Sequence, residues 1–430
     1  MEIIKSDMKE KYNQINLHVI KTAGEKSILY NVANNMVVRI PTEFAIRLLM
    51  YQKGHNDHEL ENVLDREFGN KEEFIPLHTN WFDTGVLDML VINVTNKCNL
   101  RCSYCYAHYG KFNAINANNK NIDSNTINSL FQFIKKNRIV EINKVMFFGG
   151  EPLLAYKEID EICNEFLKLF SIGEIKKIPK YGLVTNLTQC NEDIINVIDR
   201  NQIELTASID GPLKIHNKQR SNSYDVVKKN YELLKNNIKA IEATYTMNHV
   251  NEGISVYQLK KILSNEFSID TSCIDVVPVS GCKELEVNSV LNEKMLNDEE
   301  ANMEDGFIFS AFDEKKQSDL FCNAGCNRIC VSIEGDIYPC QMYVNYQNAK
   351  LCNLNKFDEE KYVSTLEKLP SRIRNENKFI YCWFRKFCKK CPAQSMTMHS
   401  EAYLSDEKCK ERLNRYEKLM CQCVFGESEN

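Results

Sequence analysis

The sequence predicts an α/β fold built on a partial (β/α)6 barrel, with a small module before it and a cysteine-rich domain after it. Short apolar runs at 89–95, 144–149, 181–186, 204–209, 241–246 and 273–279 alternate with amphipathic stretches, which implies parallel strands with helices outside. The second, third and fourth runs end at or beside Gly149-Gly150, Asn186 and Ser208-Ile-Asp210, as expected where a barrel gathers its chemistry at the carboxyl ends of its strands. The cysteines set the remaining limits. Of 18, none precedes Cys98, three fall within Cys98–Cys105, and eleven lie between Cys322 and Cys423. The expected divisions are an N-terminal module at 1–84, the barrel at 85–282, a connector at 283–320 and the cysteine-rich domain at 321–430.

Composition narrows the function classes. A chain of 430 residues with 43% hydrophobic and 26% charged content is long enough for several packed domains. A net charge of −5 lacks the basic surplus that a nucleic-acid surface requires. No apolar run reaches the roughly 18–20 residues of a membrane span, and Met1-Glu-Ile-Ile-Lys-Ser-Asp has no signal-peptide core. The expectation is therefore a cytoplasmic protein without membrane or nucleic-acid partners. Reduced thiols in that compartment read as metal ligands rather than disulfides. Cys163, Cys190, Cys273 and Cys282 stand alone and read as small buried hydrophobes.

In the N-terminal module, two β-rich runs over 17–40 are separated by the turn residues Gly24 and Asn34-Asn35, which predicts a hairpin. Phe44, Leu48 and Leu49 follow with Thr42 as a helix N-cap. Asn56–Phe68 puts Leu60, Val63, Leu64 and Phe68 on one face of a second helix. A hairpin followed by short helices resembles the winged-helix leader-binding domain of enzymes that mature ribosomally made peptides. That resemblance implies a precursor leader added as a strand to the hairpin edge. A structural extension packed on the barrel is the alternative.

Directly after Met89-Leu-Val-Ile-Asn-Val-Thr95 comes Cys98-Asn-Leu-Arg-Cys102-Ser-Tyr-Cys105, a C-x3-C-x2-C loop with Tyr104 before its last cysteine. Three thiolates on one tight loop can hold three irons of a four-iron cubane and leave the fourth open, whereas a closed zinc site wants four local ligands. On spacing alone, a zinc loop or three unrelated thiols stays open. The spacing, placed after a strand, resembles the cluster loop of the radical S-adenosylmethionine (SAM) superfamily. Membership implies a [4Fe–4S] cluster on Cys98, Cys102 and Cys105. The methionyl amino and carboxylate groups of SAM would chelate the open iron, and an electron would cleave the sulfonium to a 5′-deoxyadenosyl radical.

The later strand ends agree. Phe147-Phe-Gly149-Gly150-Glu151-Pro152 offers two glycines, which allow a ligand to approach the main chain, and an acceptor for an ammonium. It is similar to the family's GGEP motif, which holds the SAM amino group. Thr185-Asn186 and Ser208-Ile-Asp210-Gly211-Pro212 end the next two strands, and these residue types suit ribose hydroxyls. With His216 and Arg220 behind it, the second resembles the peptide-modifying branch. The resemblance implies cofactor contacts at Tyr104, Gly149, Gly150, Glu151, Asn186, Ser208 and Asp210. His216 and Arg220 are expected to hold the loop, and Thr246 and Asn248 are further candidates.

Past an acidic, lysine-rich connector, Cys322, Cys326, Cys330 and Gly335-x4-Cys340 lead to Cys352, Cys382, Cys388, Cys391 and Cys409. This resembles the seven-cysteine SPASM domain, which carries two auxiliary [4Fe–4S] clusters. The match departs at two points: Phe379 stands where the first cysteine of a C-x2-C is expected, and Cys388-x2-Cys391 is one residue short. The resemblance implies a barrel-side cluster on Cys322, Cys340 and Cys391, with Cys326 or Cys330 as fourth ligand. An outer cluster on Cys382, Cys388 and Cys409 would be completed by Cys352, Cys421 or Cys423. One cluster only, or zinc, is the alternative.

Together these features imply a radical SAM oxidoreductase that modifies a ribosomally made precursor peptide. The expected product is a thioether cross-link, with SAM, one cluster for its cleavage and one or two auxiliary clusters as cofactors. A flavodoxin- or ferredoxin-type reductant would supply electrons. Sulfatase maturation to formylglycine, or a carbon–carbon cross-linking or epimerising reaction, is the alternative. No catalytic acid, base or nucleophile can be named, because the cofactor carries the hard step.

Overall fold

The computed structural model describes residues 17–32, 36–68, 80–112, 118–279, 323–369 and 406–425, with a few isolated positions such as Cys282, Trp383 and Ala393. Cys322, Cys382, Cys388 and Cys391, the side chains of Cys409 and Cys423, and nearly all of the expected connector lie outside the described residues.

Strands β1 (Leu17–Ile20), β2 (Lys26–Asn31) and β3 (Met36–Pro41) form an antiparallel sheet in that order. The expected hairpin is therefore three-stranded. The turn around Gly24 folds the first run back on itself, so that Ile20 faces Ile28 and Leu17 faces Asn31. Helices α1 (Thr42–Gln52) and α2 (His58–Phe68) cover one face, packing Leu48, Tyr51, Leu60 and Leu64 against Leu17, Val19 and Leu29. Pro41, not Thr42, is the N-cap of α1. The Thr42 hydroxyl instead donates to the Gly24 carbonyl at 2.8 Å. The other sheet face packs through Ile28, Tyr30 and Val32 on Trp383 and on Met420 of the C-terminal helix, with His18 stacked on the Trp383 ring at 4.0 Å.

The barrel runs β4 (Val86–Thr95), α3 (Ser124–Lys136), β5 (Glu141–Gly149), α4 (Tyr156–Ser171), β6 (Lys180–Thr185), α5 (Glu192–Arg200), β7 (Glu204–Ser208), α6 (Leu213–Gln219), α7 (Tyr224–Leu234), β8 (Ile238–Tyr245), α8 (Val256–Phe267) and β9 (Ile274–Pro278). All neighbouring pairs from β4 to β9 are parallel. Short polar side chains start the helices by accepting orphan amides: Asp123 from Thr126 at 2.8 Å and Asn191 from Ile194 at 2.9 Å. Apolar stripes turn them inward, with Ile127, Leu130, Phe131 and Ile134 on α3 and Ile159, Ile162, Cys163 and Phe166 on α4. Cys163 is the small core hydrophobe expected of it.

Strand alternation then creates a cavity. Phe147 stacks on Tyr181, which meets Phe166 of α4, so the odd positions of β5 face the helices and Met146 and Phe148 face inward. The registers carry this inner face around the sheet, with Val91 beside Met146, Val184 beside Thr206, Ser208 beside Glu242, and Glu242 beside Asp275. Met89, Met146, Phe148, Val184, Thr206, Glu242 and Thr244 are only half-buried, while their helix-facing neighbours are fully buried. The barrel is open inside.

Beyond β4 the sheet continues into the C-terminal region. Strand β10 (Arg328–Val331) pairs with β4 in parallel, and β11 (Asp336–Tyr338) and β12 (Cys352–Asn353) extend it, giving the order β12-β11-β10-β4-β5-β6-β7-β8-β9. Trp81 seals this join. Its Nε1 donates to the Tyr362 hydroxyl at 3.1 Å, that hydroxyl donates to the Gly325 carbonyl at 2.8 Å, and Phe133 and Phe357 pack on the indole. Each fully buried large apolar side chain contributes about 1.5–3 kcal/mol, against about 1 kcal/mol net for one hydrogen bond. The aromatic cluster therefore dominates the seal. Among the described residues no helix is long and apolar enough to cross a membrane.

Candidate active site

The cysteine loop leaves β4 and lies flat against the end of β5. A Cβ on Gly149 would meet the Thr95 carbonyl oxygen at 2.1 Å, and one on Gly150 would meet the Lys97 carbonyl oxygen at 2.1 Å and the Cys98 Cβ at 3.0 Å. The amide of Gly150 donates to Thr95 at 3.1 Å and that of Glu151 to Lys97 at 2.8 Å. What approaches the two glycines is thus the chain's own loop, as well as any ligand above it.

Glu151 is almost fully buried. Leu153 donates its amide to Oε1 at 3.0 Å, Thr185 its hydroxyl to Oε1 at 2.8 Å, and Asn186 its amide to Oε2 at 2.7 Å. A carboxylate offers about four acceptor positions, so one is left for a cation. Burial pushes its pKa up to about 6, against these three donors and Arg220. The side-chain Nδ2 of Asn186 donates to Asn99 Oδ1 at 3.1 Å and reaches the Cys98 sulfur at 4.0 Å. Asn99 in turn donates to Thr188 at 2.7 Å, so β6 holds the loop from a second side.

A third side comes from β7 and α6. Asp210 is fully buried, and its Oδ2 accepts the Tyr104 hydroxyl at 2.5 Å and lies 3.0 Å from Arg220 Nε. Its Oδ1 accepts the Thr244 amide at 3.1 Å, and the Arg220 guanidinium stands over the Tyr104 ring at 5.6 Å. The Ser103 amide donates to the Gln219 carbonyl at 3.0 Å and the Arg101 amide to the Ser221 hydroxyl at 3.0 Å. Asp210 and Tyr104 are joined to each other here, with Arg220 as the buried counter-charge. Ser208 is buried on the inner face one step before them.

His216 supports the same turn. Ser223 spends its proton on the Arg220 carbonyl at 2.7 Å, so His216 Nε2 donates to the Ser223 oxygen at 3.0 Å, and Nδ1 accepts the Asp210 amide at 3.4 Å. The ring is neutral, and burial pushes its pKa down to about 4. As pH falls, the unfolded chain takes this proton first. Stability is therefore full above about pH 6.5 and falls toward pH 4, by about 2 kcal/mol at pH 5. Urea midpoints at pH 7.5 and 5.0 should show this loss, and His216→Gln should flatten the slope.

The donor set of the loop suits iron. Cys98, Cys102 and Cys105 are all partly exposed and unpaired by disulfide. Burial pushes the Cys102 thiol up to about 11 and raises that of Cys98, and the Cys105 charge adds to both. Among the described residues no group of three His, Cys, Asp or Glu side chains converges as a single ion would require. A cubane spreads its thiolates wider than one ion does, and three cysteines match three irons held with a fourth left open, whereas a closed zinc site takes four ligands.

Glu242 had no signal in the sequence. It faces inward from β8 between Ser208 and Asp275. Burial raises its pKa, Arg220 opposes, and Asp275 and Asp210 add to the rise. Only its place in the register, which sequence periodicity does not reveal, marks it. Tyr106 stands in the mouth with its hydroxyl raised by burial and by the charges of Glu242, Cys105, Cys340 and Cys330. Cys282, expected to be buried and isolated, is half-buried with its sulfur 4.0 Å from the Ser103 carbonyl. Cys326 and Cys330 are buried near β10, and Cys352 lies beside Ile337, on the opposite hairpin face from Cys330.

The family model described as the radical SAM superfamily matches residues 92–253, from β4 through β8. A cysteine-type anaerobic sulfatase-maturating enzyme of Clostridium perfringens is 26% identical over 338 residues, covering 71% of this chain and 86% of its own. A GTP 3′,8-cyclase of Clostridium botulinum is 24% identical over 305 residues, covering 65% of this chain and 91% of its own. An uncharacterized protein of Methanocaldococcus jannaschii is 36% identical over 127 residues, 28% of this chain, and the chain spans 38% of that relative's length. Among solved structures, native anSMEcpe with bound AdoMet superposes with a TM-score of 0.55 at 20% identity, covering 70% of this chain and 88% of that one. SuiB of Streptococcus suis bound to S-adenosylmethionine gives 0.50 at 15% identity, covering 89% and 95%. Both are likenesses of fold.

Proposed function

Because the chain carries a radical SAM domain and is an enzyme of that superfamily, we propose that it matures a ribosomally made precursor peptide by joining a cysteine sulfur to a carbon. A [4Fe–4S] cluster with SAM bound supplies a 5′-deoxyadenosyl radical that removes a hydrogen atom from the peptide. Cys98, Cys102 and Cys105 hold the cluster. Glu151, with its remaining acceptor position, takes the SAM ammonium, and Asn186 and Ser208 orient the rest of the cofactor. Tyr104, Asp210 and Arg220 keep the loop in register with it. Glu242 accepts the proton that leaves as the new bond closes, from a position beside Ser208 on the cavity wall. Auxiliary clusters held by the cysteine-rich region would take up the surplus electron, and a flavodoxin- or ferredoxin-type donor would supply the electron for SAM cleavage.

The observation that carries this reading is the pairing of an open barrel with a three-stranded module whose outer strand β3 has no buried residue and lies at the edge of its sheet. An extended leader can add to such an edge by main-chain hydrogen bonds. The inner wall speaks against a nucleoside triphosphate of the cyclase kind. Glu204, Glu242 and Asp275 face inward, Lys144 is already paired with Glu204 at 3.4 Å, and Arg220 is committed to Asp210.

Anaerobic co-expression with a candidate cysteine-containing precursor peptide, sought among small open reading frames near the gene, tests the proposal. Loss of a pair of hydrogens per site, together with cysteines that no longer alkylate, is expected. Sulfatase-type maturation, which the similarity to the Clostridium perfringens enzyme also favours, would instead give an aldehyde that reacts with hydroxylamine. An unchanged peptide whose cysteines remain alkylatable would exclude the thioether.

A further inference from the structure

We propose that Cys330 is a ligand of an auxiliary iron–sulfur cluster, shared with Cys340 and turned toward the barrel cavity. The inference rests on the reading that the cysteine-rich region holds such clusters. The sequence leaves the choice between Cys326 and Cys330 open, and the hairpin geometry favours Cys330.

Cys330 pairs with Val91 of β4 on one side and with Tyr338 of β11 on the other. Val91 lies beside Met146, on the inward face established by Phe147, Tyr181 and Phe166. Cys330 therefore points into the barrel from the strand next to the one that carries the Cys98 loop. Cys340 follows Tyr338 by two residues with extended backbone, φ −157° and ψ 175°, so it emerges on the same hairpin face, diagonal to Cys330. Diagonal neighbours across an antiparallel pair stand about 7–8 Å apart. A disulfide needs Cβ atoms within about 4.5 Å, so this spacing suits two corners of a multi-iron cluster better. The charge of Cys340 acts on the buried Cys330 thiol, and both act on the Tyr106 hydroxyl. Tyr106 follows Cys105 directly, so the proposed site stands across this ring from the first cluster's loop.

The position also accounts for a departure from the seven-cysteine pattern. A ligand is missing where Phe379 stands, and a thiol has been gained on β10 that the spacing rule of that pattern does not place. Soft thiolates in a half-closed, partly apolar wall are the donors that iron–sulfur chemistry uses.

The test compares anaerobically reconstituted full-length wild type, Cys330→Ala and Cys326→Ala by iron and sulfide content and by electron paramagnetic resonance after dithionite reduction. SAM cleavage without peptide serves as a control for the first cluster. Alanine fits a buried cysteine position, and far-UV circular dichroism confirms folding. Cys330→Ala should lose about four irons per chain, or convert one cluster to a three-iron form, with SAM cleavage kept. If Cys330→Ala matches wild type in iron and spectrum, Cys330 is not a ligand. If wild type itself binds only about four irons, the reading of auxiliary clusters fails, and the proposal with it. A Cys330→Ser variant repeats the comparison with a thiol-sized side chain should the alanine variant not fold.

Discussion

Alanine at Cys98, Cys102 and Cys105 together should reduce 5′-deoxyadenosine formation to background and remove roughly four irons per chain, leaving the iron of the C-terminal region in place. Liquid chromatography of the reaction after dithionite reduction, with iron analysis of the same preparation, measures both. The effect is large because these three thiols are the donors of the loop itself. Among the described residues, Cys282 is the further thiol recorded beside it, and its sulfur lies 4.0 Å from a carbonyl oxygen of the loop. The loop should keep its place in the empty variant, because Lys97, Asn99, Arg101 and Ser103 are bonded to Glu151, Thr188, Ser221 and Gln219. Unchanged thermal unfolding beside absent cleavage is the expected combination. Residual cleavage would place the reactive iron elsewhere.

Arg220→Met should cost about 3–5 kcal/mol, because it leaves the Asp210 carboxylate buried without its counter-charge. Asp210→Asn in the same chain should recover much of that loss, since removing both charges leaves no buried ion. Urea unfolding of the two single variants and the double variant measures the coupling. The pair also holds Tyr104 of the loop, so the single variants should bind SAM more weakly even where they fold, and the double variant should restore folding better than binding. If both singles and the double lose the same stability, the ion pair is not what organises the turn.

These two sites differ in how far the sequence revealed them. The cysteine loop and the glycine pair were legible because their ligands lie within a few residues of one another and follow clear strands. All six expected barrel strands begin within three residues of their place in the structure, because apolar runs between capped helices leave little freedom. The Tyr104–Asp210–Arg220 lock was legible only in part. Its members lie on separate elements, and the expectation that Asp210 meets a cofactor took no account of a partner from the loop itself. Glu242 was hidden altogether, since its meaning comes from the registers of β7, β8 and β9. The N-terminal hairpin became a three-stranded sheet because Gly24 marks a true reversal rather than a boundary between runs. The addition of β10 beside β4 was illegible for the same reason as Glu242: periodicity predicts elements and not their pairing.

That last pairing bears on how the chain is assembled at the ribosome. Strand β4 emerges early, yet its outer neighbour is synthesised far later, and Asp88 waits for Arg328 across 240 positions of chain. Until then β4 presents an unpaired hydrogen-bonding margin, open to wrong partners. A truncated product ending after β9 would keep that margin exposed and should cluster with its own kind, while the full-length chain covers it. Synthesis through β10 is thus a quality gate, because the cysteine loop rests on a strand whose outer neighbour is made 240 residues later.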